Sequence, residues 1–111
     1  MIALKRDLHS AMVRLRRAER ALADSIRARD AEAVGTESRR TFSDMVTARW
    51  QQVRTARVAA DAATWALHLA MGRATVRETQ ALSAQWIAEH IARTGRDPAD
   101  CDAESCPFGK E

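Results

Sequence analysis

The sequence of 111 residues contains few residues that interrupt helices, with four glycines and two prolines, and it contains no tyrosine. Alanine, by contrast, is its most frequent residue, and alanine has the highest intrinsic preference for the helix. A β-sandwich or a many-stranded sheet needs frequent turns and many β-branched or aromatic residues, so the composition argues against both. We therefore predict an all-α protein with one domain.

No stretch of the chain approaches the roughly 20 consecutive apolar residues that a membrane-spanning helix requires. The N-terminal residues are not followed by the apolar run of a secretory signal peptide. We therefore expect a cytoplasmic protein without a membrane partner. The net charge of +3 combines a basic body with an acidic C-terminal segment.

Glycines at positions 35, 72 and 95 divide the sequence into segments with helical periodicity. In the first segment, Leu8, Leu15 and Leu22 recur every seven residues, and small residues lie between them. This spacing places the leucines on one stripe and predicts a helix over residues 2–34.

The second segment repeats this pattern with smaller residues, and it predicts a helix over residues 37–71. Alanines alternate with larger apolar residues along its seam, which allows two helices to approach closely. Because only a short turn around Gly35 separates the two segments, we predict that they form a long antiparallel hairpin, similar to a coiled coil. The seam positions of this segment are Val46, Val53, Ala56, Ala60, Ala63, Leu67 and Ala70.

A third helix is predicted over residues 75–94, where Thr75 and Glu78 have the spacing of a capping box. The three helices form a single domain over residues 1–95. Residues 96–111 form a C-terminal tail, which begins with the N-cap pattern of Asp97 and Pro98. The rest of the tail is acidic, and we predict that it is irregular.

The second half of the second helix is apolar on most sides, because Asp61 is the only charged residue between positions 58 and 71. Such a helix must be covered on most sides, which one neighbouring helix cannot do. We therefore predict a non-catalytic interaction protein, either a homo-oligomer or an adaptor that docks on a larger protein. Packing of Trp65 on Trp86 inside one three-helix unit is the alternative. The predicted interface residues are Val58, Trp65, Leu69 and Trp86.

The first helix has a basic face, which supports a second interpretation. Acidic residues are interspersed among its arginines, and aromatic residues that stack on bases are missing there. We therefore prefer a solvated or salt-bridged face, and a nucleic-acid accessory protein is the alternative. The arginines that would contact phosphates are Arg6, Arg17, Arg20 and Arg27.

The two cysteines support a third interpretation. Cys101 and Cys106 are separated by four residues, a spacing at which two thiolates can share one zinc ion. His90 must fold back along the chain to join them. The expected state is a reduced pair without any cofactor, and a metal- or redox-responsive tail is the alternative.

No combination of acid, base and nucleophile can be assembled from the sequence, so we predict that the protein is not an enzyme and has no catalytic residues. Asp61 and His68 share one strip of the second helix, but they lie about 10 Å apart along its axis, too far for a hydrogen bond. The Glu-x-x-His motif of ferritin-like carboxylate bundles is absent from the sequence.

Overall fold

The computed structural model describes residues 2–72 and 79–101. Over these ranges the chain is all-α and contains no strand, as the composition predicts. None of the helices in these ranges combines the length and the hydropathy needed to cross a lipid bilayer. The elements are α1 (Ile2–Asp30), α2 (Glu37–Ala70), α3 (Thr79–Thr94) and a single 3₁₀ turn at Pro98–Asp100.

The long helices α1 and α2 pack against each other as an antiparallel hairpin. Burial of one leucine or valine side chain contributes about 1.5–3 kcal/mol to the free energy of folding, so the repeated seam holds the hairpin together. The molecule measures 53 × 29 × 19 Å, and its length follows from that of the two helices. The buried seam residues are Leu8, Leu15 and Leu22 of α1 and Val46, Val53, Ala56, Ala60 and Leu67 of α2.

The turn between α1 and α2 is closed by side chains that cap both helices. The Thr36 hydroxyl accepts a hydrogen bond of 3.2 Å from the Arg39 N–H and is the N-cap of α2. The Arg39 guanidinium donates to the carbonyl of Arg29 near the end of α1. Gly35 adopts a φ of +85°, which reverses the chain direction. Because this capped turn replaces the last helical turn, α1 ends at Asp30, four residues earlier than predicted.

The third helix lies against the hairpin, and Trp86 and Ile87 pack on its core. After α3, Asp97 accepts a hydrogen bond of 2.9 Å from the Ala99 N–H, with Pro98 in the first position of the turn, as the sequence predicts. We call residues 97–101 the strap. Its Pro98, Ala99 and Cys101 side chains are buried, so the first part of the predicted tail belongs to the packed structure.

Two features predicted from the sequence lie outside the described residues. One is the capping box of Thr75 and Glu78, which falls in the segment before α3. The other is the tail from residue 102 onwards, which includes Cys106.

Candidate metal centre

Three buried side chains from separate parts of the chain meet beside α1. His9 lies on α1, His90 lies on α3, and Cys101 ends the strap. Their exposed fractions are 2%, 0% and 6%. One possible ligand atom from each, an imidazole nitrogen or the thiol sulfur, lies within 4.8 Å of the other two. This cluster is the only group of three or more metal-binding side chains found among residues 2–72 and 79–101.

The distances within the cluster are close to those of a metal site. In a tetrahedral zinc site with bonds of about 2.0 Å to nitrogen and 2.3 Å to sulfur, the ligand atoms lie about 3.3–3.7 Å apart. His9 Nε2 lies 3.8 Å from Cys101 Sγ. Movements of about 1 Å would therefore bring all three ligand atoms to bonding distance from one ion.

A second buried side of α1 positions His9. Besides the leucines of the seam, α1 buries His9, Met12 and Val13, and Val13 forms a small apolar cluster with Cys101. The buried surface of α1 is therefore wider than the stripe that contacts α2. Its additional part contacts α3 and the strap, which brings His9 close to His90 and Cys101.

The end of α3 orients the His90 ring and sets which of its nitrogens donates a hydrogen bond. Its Nδ1 lies 2.9 Å from the carbonyl oxygen of Arg96. Because a carbonyl only accepts hydrogen bonds, Nδ1 carries the proton, and Nε2 of a neutral ring then has a lone pair. Thr94 supports this arrangement, since its hydroxyl donates to the carbonyl of His90 at 2.7 Å. A backbone hydrogen bond of this kind orients histidines that bind metal ions.

Burial favours the neutral form of His9. Burial is the main cause that lowers the pKa of His9, and the nearby His90 lowers it further. His9 Nδ1 is buried and has no hydrogen-bond partner. A neutral imidazole has one nitrogen with a lone pair that can bind a cation. Because Nε2 is the nitrogen close to Cys101, an ion bound there would leave Nδ1 without a hydrogen-bond partner, which is an energetic cost to the site.

Trp86 covers the two histidines. Its ring centroid lies 5.4 Å from that of His9 and 5.3 Å from that of His90, and it is stacked on His90. The two imidazole centroids are 5.6 Å apart. The half-buried indole thus restricts the orientation of both rings and keeps water away from them. Trp86, which the sequence analysis assigned to a partner interface, packs within the chain.

An ion pair fixes the start of the strap on α1. Arg16 Nη2 donates to Asp97 Oδ2 at 2.7 Å, and its Nε lies 3.3 Å from Oδ1. The hydrogen bond from Arg16 is the main cause that lowers the pKa of Asp97, while partial burial acts in the opposite direction. Such two-point contacts between guanidinium and carboxylate are geometrically specific, so this pair sets the register of the strap on α1.

Two further arginines of α1 hold the end of the strap. Arg17 donates to the carbonyl of Ala99 at 3.2 Å and to that of Cys101 at 3.0 Å. Arg20 forms a two-point ion pair with Asp100. Two of the four arginines proposed from sequence as phosphate contacts therefore bind the chain's own strap.

The other residues proposed from sequence lie away from the cluster. Arg6 and Arg27 are exposed, and Arg27 forms an ion pair with Asp24. Val58 and Leu69 are exposed on α2, and Trp65 is half-buried.

Sequence reasoning identified His90 and Cys101 as possible ligands but missed His9. Its only signal was its position next to Leu8, a predicted core residue, in a chain with three histidines.

The chain matches no protein-family model, no curated protein and no solved structure.

Proposed function

We propose that this protein binds a divalent transition-metal ion through His9, His90 and Cys101, and that the ion fastens α3 and the strap to α1. The observation that carries this proposal is the meeting of two imidazoles and one thiol in the interior. His9 and Cys101 are 92 positions apart in sequence, so no local constraint brings them together. All three side chains are buried, and their ligand atoms lie within 4.8 Å of one another.

The donor atoms favour zinc. A thiolate is a poor ligand for Mg²⁺ or Ca²⁺, which prefer oxygen, whereas two imidazole nitrogens and one thiolate suit Zn²⁺. On binding, Cys101 would release its proton to solvent and the histidines would bind as neutral rings. The structure favours the neutral form of His9, since its pKa is lowered by burial.

The burial of the site supports a structural role for the ion. A nucleophilic cysteine must be reached by its substrate, but Cys101 is 6% exposed and the two histidines lie under Trp86. Structural zinc sites have four protein ligands. Cys106 is the residue that the sequence offers as the fourth, because it follows Cys101 after a short spacer.

Metal titration of the reduced, metal-free chain tests this proposal. We expect one Zn²⁺ per chain by calorimetry, and Co²⁺ in its place should show the charge-transfer absorption of a thiolate ligand. Cys101→Ser should lower that absorption, Cys101→Ser/Cys106→Ser should abolish it, and His9→Gln should weaken metal binding. The matched control is His68→Gln, which changes a histidine on α2 outside the cluster and should bind as the unmodified chain does.

Two results would contradict the metal-binding role. One is failure of the unmodified chain to bind either ion. The other is equal affinity in the unmodified chain and in Cys101→Ser, because binding would then occur elsewhere. Circular dichroism of each variant separates loss of a ligand from loss of the helical fold.

We also propose, as a second role, that two copies of the chain associate through the outer face of α2. The exposed apolar residues Val58 and Leu69 support this role, with exposed fractions of 70% and 57%. They lie eleven positions apart, or about three helical turns, and therefore share one face. Light scattering should give a dimer that Val58→Asp dissociates, whereas Val34→Asp, at a position 86% exposed outside the helices, should not. A monomeric unmodified chain would exclude this role.

A further inference from the structure

The strap lies over the most basic part of α1. Its two carboxylates pair with guanidinium groups, Asp97 with Arg16 and Asp100 with Arg20. Two of its carbonyls accept hydrogen bonds from Arg17. The strap thus occupies the donors of three arginines that lie within little more than one helical turn.

We infer that the strap is a removable cover over a nucleic-acid-binding strip formed by Arg16, Arg17 and Arg20, and that the ion bound through Cys101 holds this cover closed. This inference rests on the proposed metal site. The ligand is the phosphodiester backbone of a nucleic acid, which the strip binds without sequence preference.

The strap resembles a phosphate backbone in its chemistry. A guanidinium group presents the same planar pair of donors to a carboxylate and to a phosphate. The carboxylates of Asp97 and Asp100 therefore occupy the places that two phosphates would take. Between positions 14 and 20, α1 has four arginines and only one acidic residue, Glu19. Without the strap this segment is strongly positive, and release of counterions would drive its binding to a polyanion.

The distribution of arginines along α1 favours a nucleic acid over a compact anion. At 100° per residue, the three strip arginines share about 100° of the helix circumference with Arg6 and Arg27. Arg6 and Arg27 are exposed and lie before and after the strip, and Arg27 is paired with Asp24 on the same face. Arg16, Arg17 and Arg20 are adjacent on this arc and suit neighbouring phosphates of one backbone, and Arg6 and Arg27 add positive charge before and after them.

Cys101 connects the cover to the metal site. Its sulfur lies 3.8 Å from His9 Nε2, and its carbonyl accepts from Arg17 at 3.0 Å. An ion that binds the thiolate therefore keeps the strap on α1. The remaining attachment consists of the buried Pro98 and Ala99, the hydrogen bonds from Arg17 to strap carbonyls, and ion pairs that salt weakens. Because coupled binding is reciprocal, the ion and the nucleic acid must lower each other's affinity by the same factor.

Fluorescence anisotropy with a labelled DNA duplex of about 20 base pairs, at about 50 mM salt, tests this inference. The metal-free chain should bind the duplex about tenfold more tightly than the zinc-loaded chain, a factor within the usual range of coupling between two sites. The double variant Asp97→Asn/Asp100→Asn should bind the duplex more tightly than the unmodified chain in each metal state, because Arg16 and Arg20 lose their carboxylate partners, and zinc should still weaken its binding because Cys101 is unchanged. Adding Arg17→Gln and Arg20→Gln to this variant should remove the gain in affinity.

The control variant is Glu37→Gln/Asp44→Asn, which makes the same change of net charge at exposed positions on α2. When it is loaded with zinc, this control should bind the duplex as weakly as the unmodified zinc-loaded chain does. In a calorimetric titration, saturating duplex should weaken Zn²⁺ binding to the unmodified chain by the same tenfold factor, and it should do the same to the control, whose strap and metal-binding residues are unchanged.

The outcomes separate the inference from the proposed function. If Asp97→Asn/Asp100→Asn gains no more affinity than the control, or binds polyglutamate as tightly as DNA, the nucleic-acid strip is wrong. If Zn²⁺ binds through Cys101 but leaves duplex affinity unchanged, metal control of the strap is wrong. If no Zn²⁺ binds, the proposed function fails, and a gain of DNA affinity in the double variant would still identify the covered strip.

Discussion

The hairpin seam and the junction of α1, α3 and the strap are held together by different chemistry. The seam buries apolar side chains such as Leu22 and Val46, and this contribution needs no charge and no ligand. The junction combines two imidazoles, a thiol and guanidinium–carboxylate pairs, whose strength depends on protonation and ionic strength. The comparison teaches that the seam supplies constant stability, while the ion pairs of the junction depend on acid and salt and its two histidines and cysteine form the site that we propose responds to metal.

The largest expected effect tests the seam. Leu22→Ala removes a buried leucine from the α1–α2 contact, thirteen positions, or about 20 Å of helix, from His9 of the proposed metal site. The free energy of unfolding should fall by about 2–5 kcal/mol because the variant loses apolar burial and leaves a cavity. Urea unfolding of the metal-free and zinc-loaded variant measures this loss. The loss should be the same in both forms. A loss that depends on zinc would show that the stability of the seam is coupled to the junction.

The next effect tests the junction. At a free zinc concentration about a hundredfold above the dissociation constant, the unmodified chain should gain about 3 kcal/mol of stability, or roughly 10–20 °C in melting temperature. A thermal melt with and without zinc measures this gain. Cys101→Ser should lose the gain, whereas Leu22→Ala should keep it. A melting temperature that zinc does not change would show that no bound ion stabilises the junction.

A smaller effect concerns the charge of Asp97. Asp97→Asn retains an N-cap side chain but removes the ion pair with Arg16, so stability at neutral pH should fall by about 0.5–1 kcal/mol. Because folding lowers the pKa of Asp97, its charge stabilises the fold above the ordinary pKa of about 4. This advantage is lost as the pH falls through the lower pKa of the folded state. Urea unfolding of both proteins at neutral and acidic pH should show the difference disappearing in acid.

The smallest effect belongs to the turn at the other end of the hairpin. Thr36→Ala removes the N-cap of α2 and should cost about 0.5 kcal/mol, since the capping hydroxyl is exposed. The cost should be the same with or without zinc, which equilibrium unfolding can measure. A cost that changed with zinc would indicate coupling along the whole hairpin.

The seam could be predicted from sequence because each of its contacts repeats a local period. Leu15 and Val53 are buried where their seven-residue spacing places them. The end of α1 could not be predicted as well, because Gly35 marks a turn but gives no sign that the Arg39 side chain caps the preceding helix.

The junction was only partly predictable, for a physical reason. Its register depends on the contact between Arg16 and Asp97, which are 81 positions apart and leave no periodic trace in the sequence. Sequence spacing therefore led to Cys106 as the partner of Cys101. Spacing did not lead to His9, because only the folded structure brings His9 close to Cys101.

The distance along the chain between His9 and Cys101 has a consequence for how the proposed site acquires its ion. As the protein is synthesised, the first ligand leaves the ribosome long before the last, and no shorter nascent chain holds the full set of donors. Loading with metal must therefore follow synthesis of the strap and its docking on α1. A bound ion would therefore be found in chains that include the strap and would be missing from chains whose synthesis stopped within the hairpin.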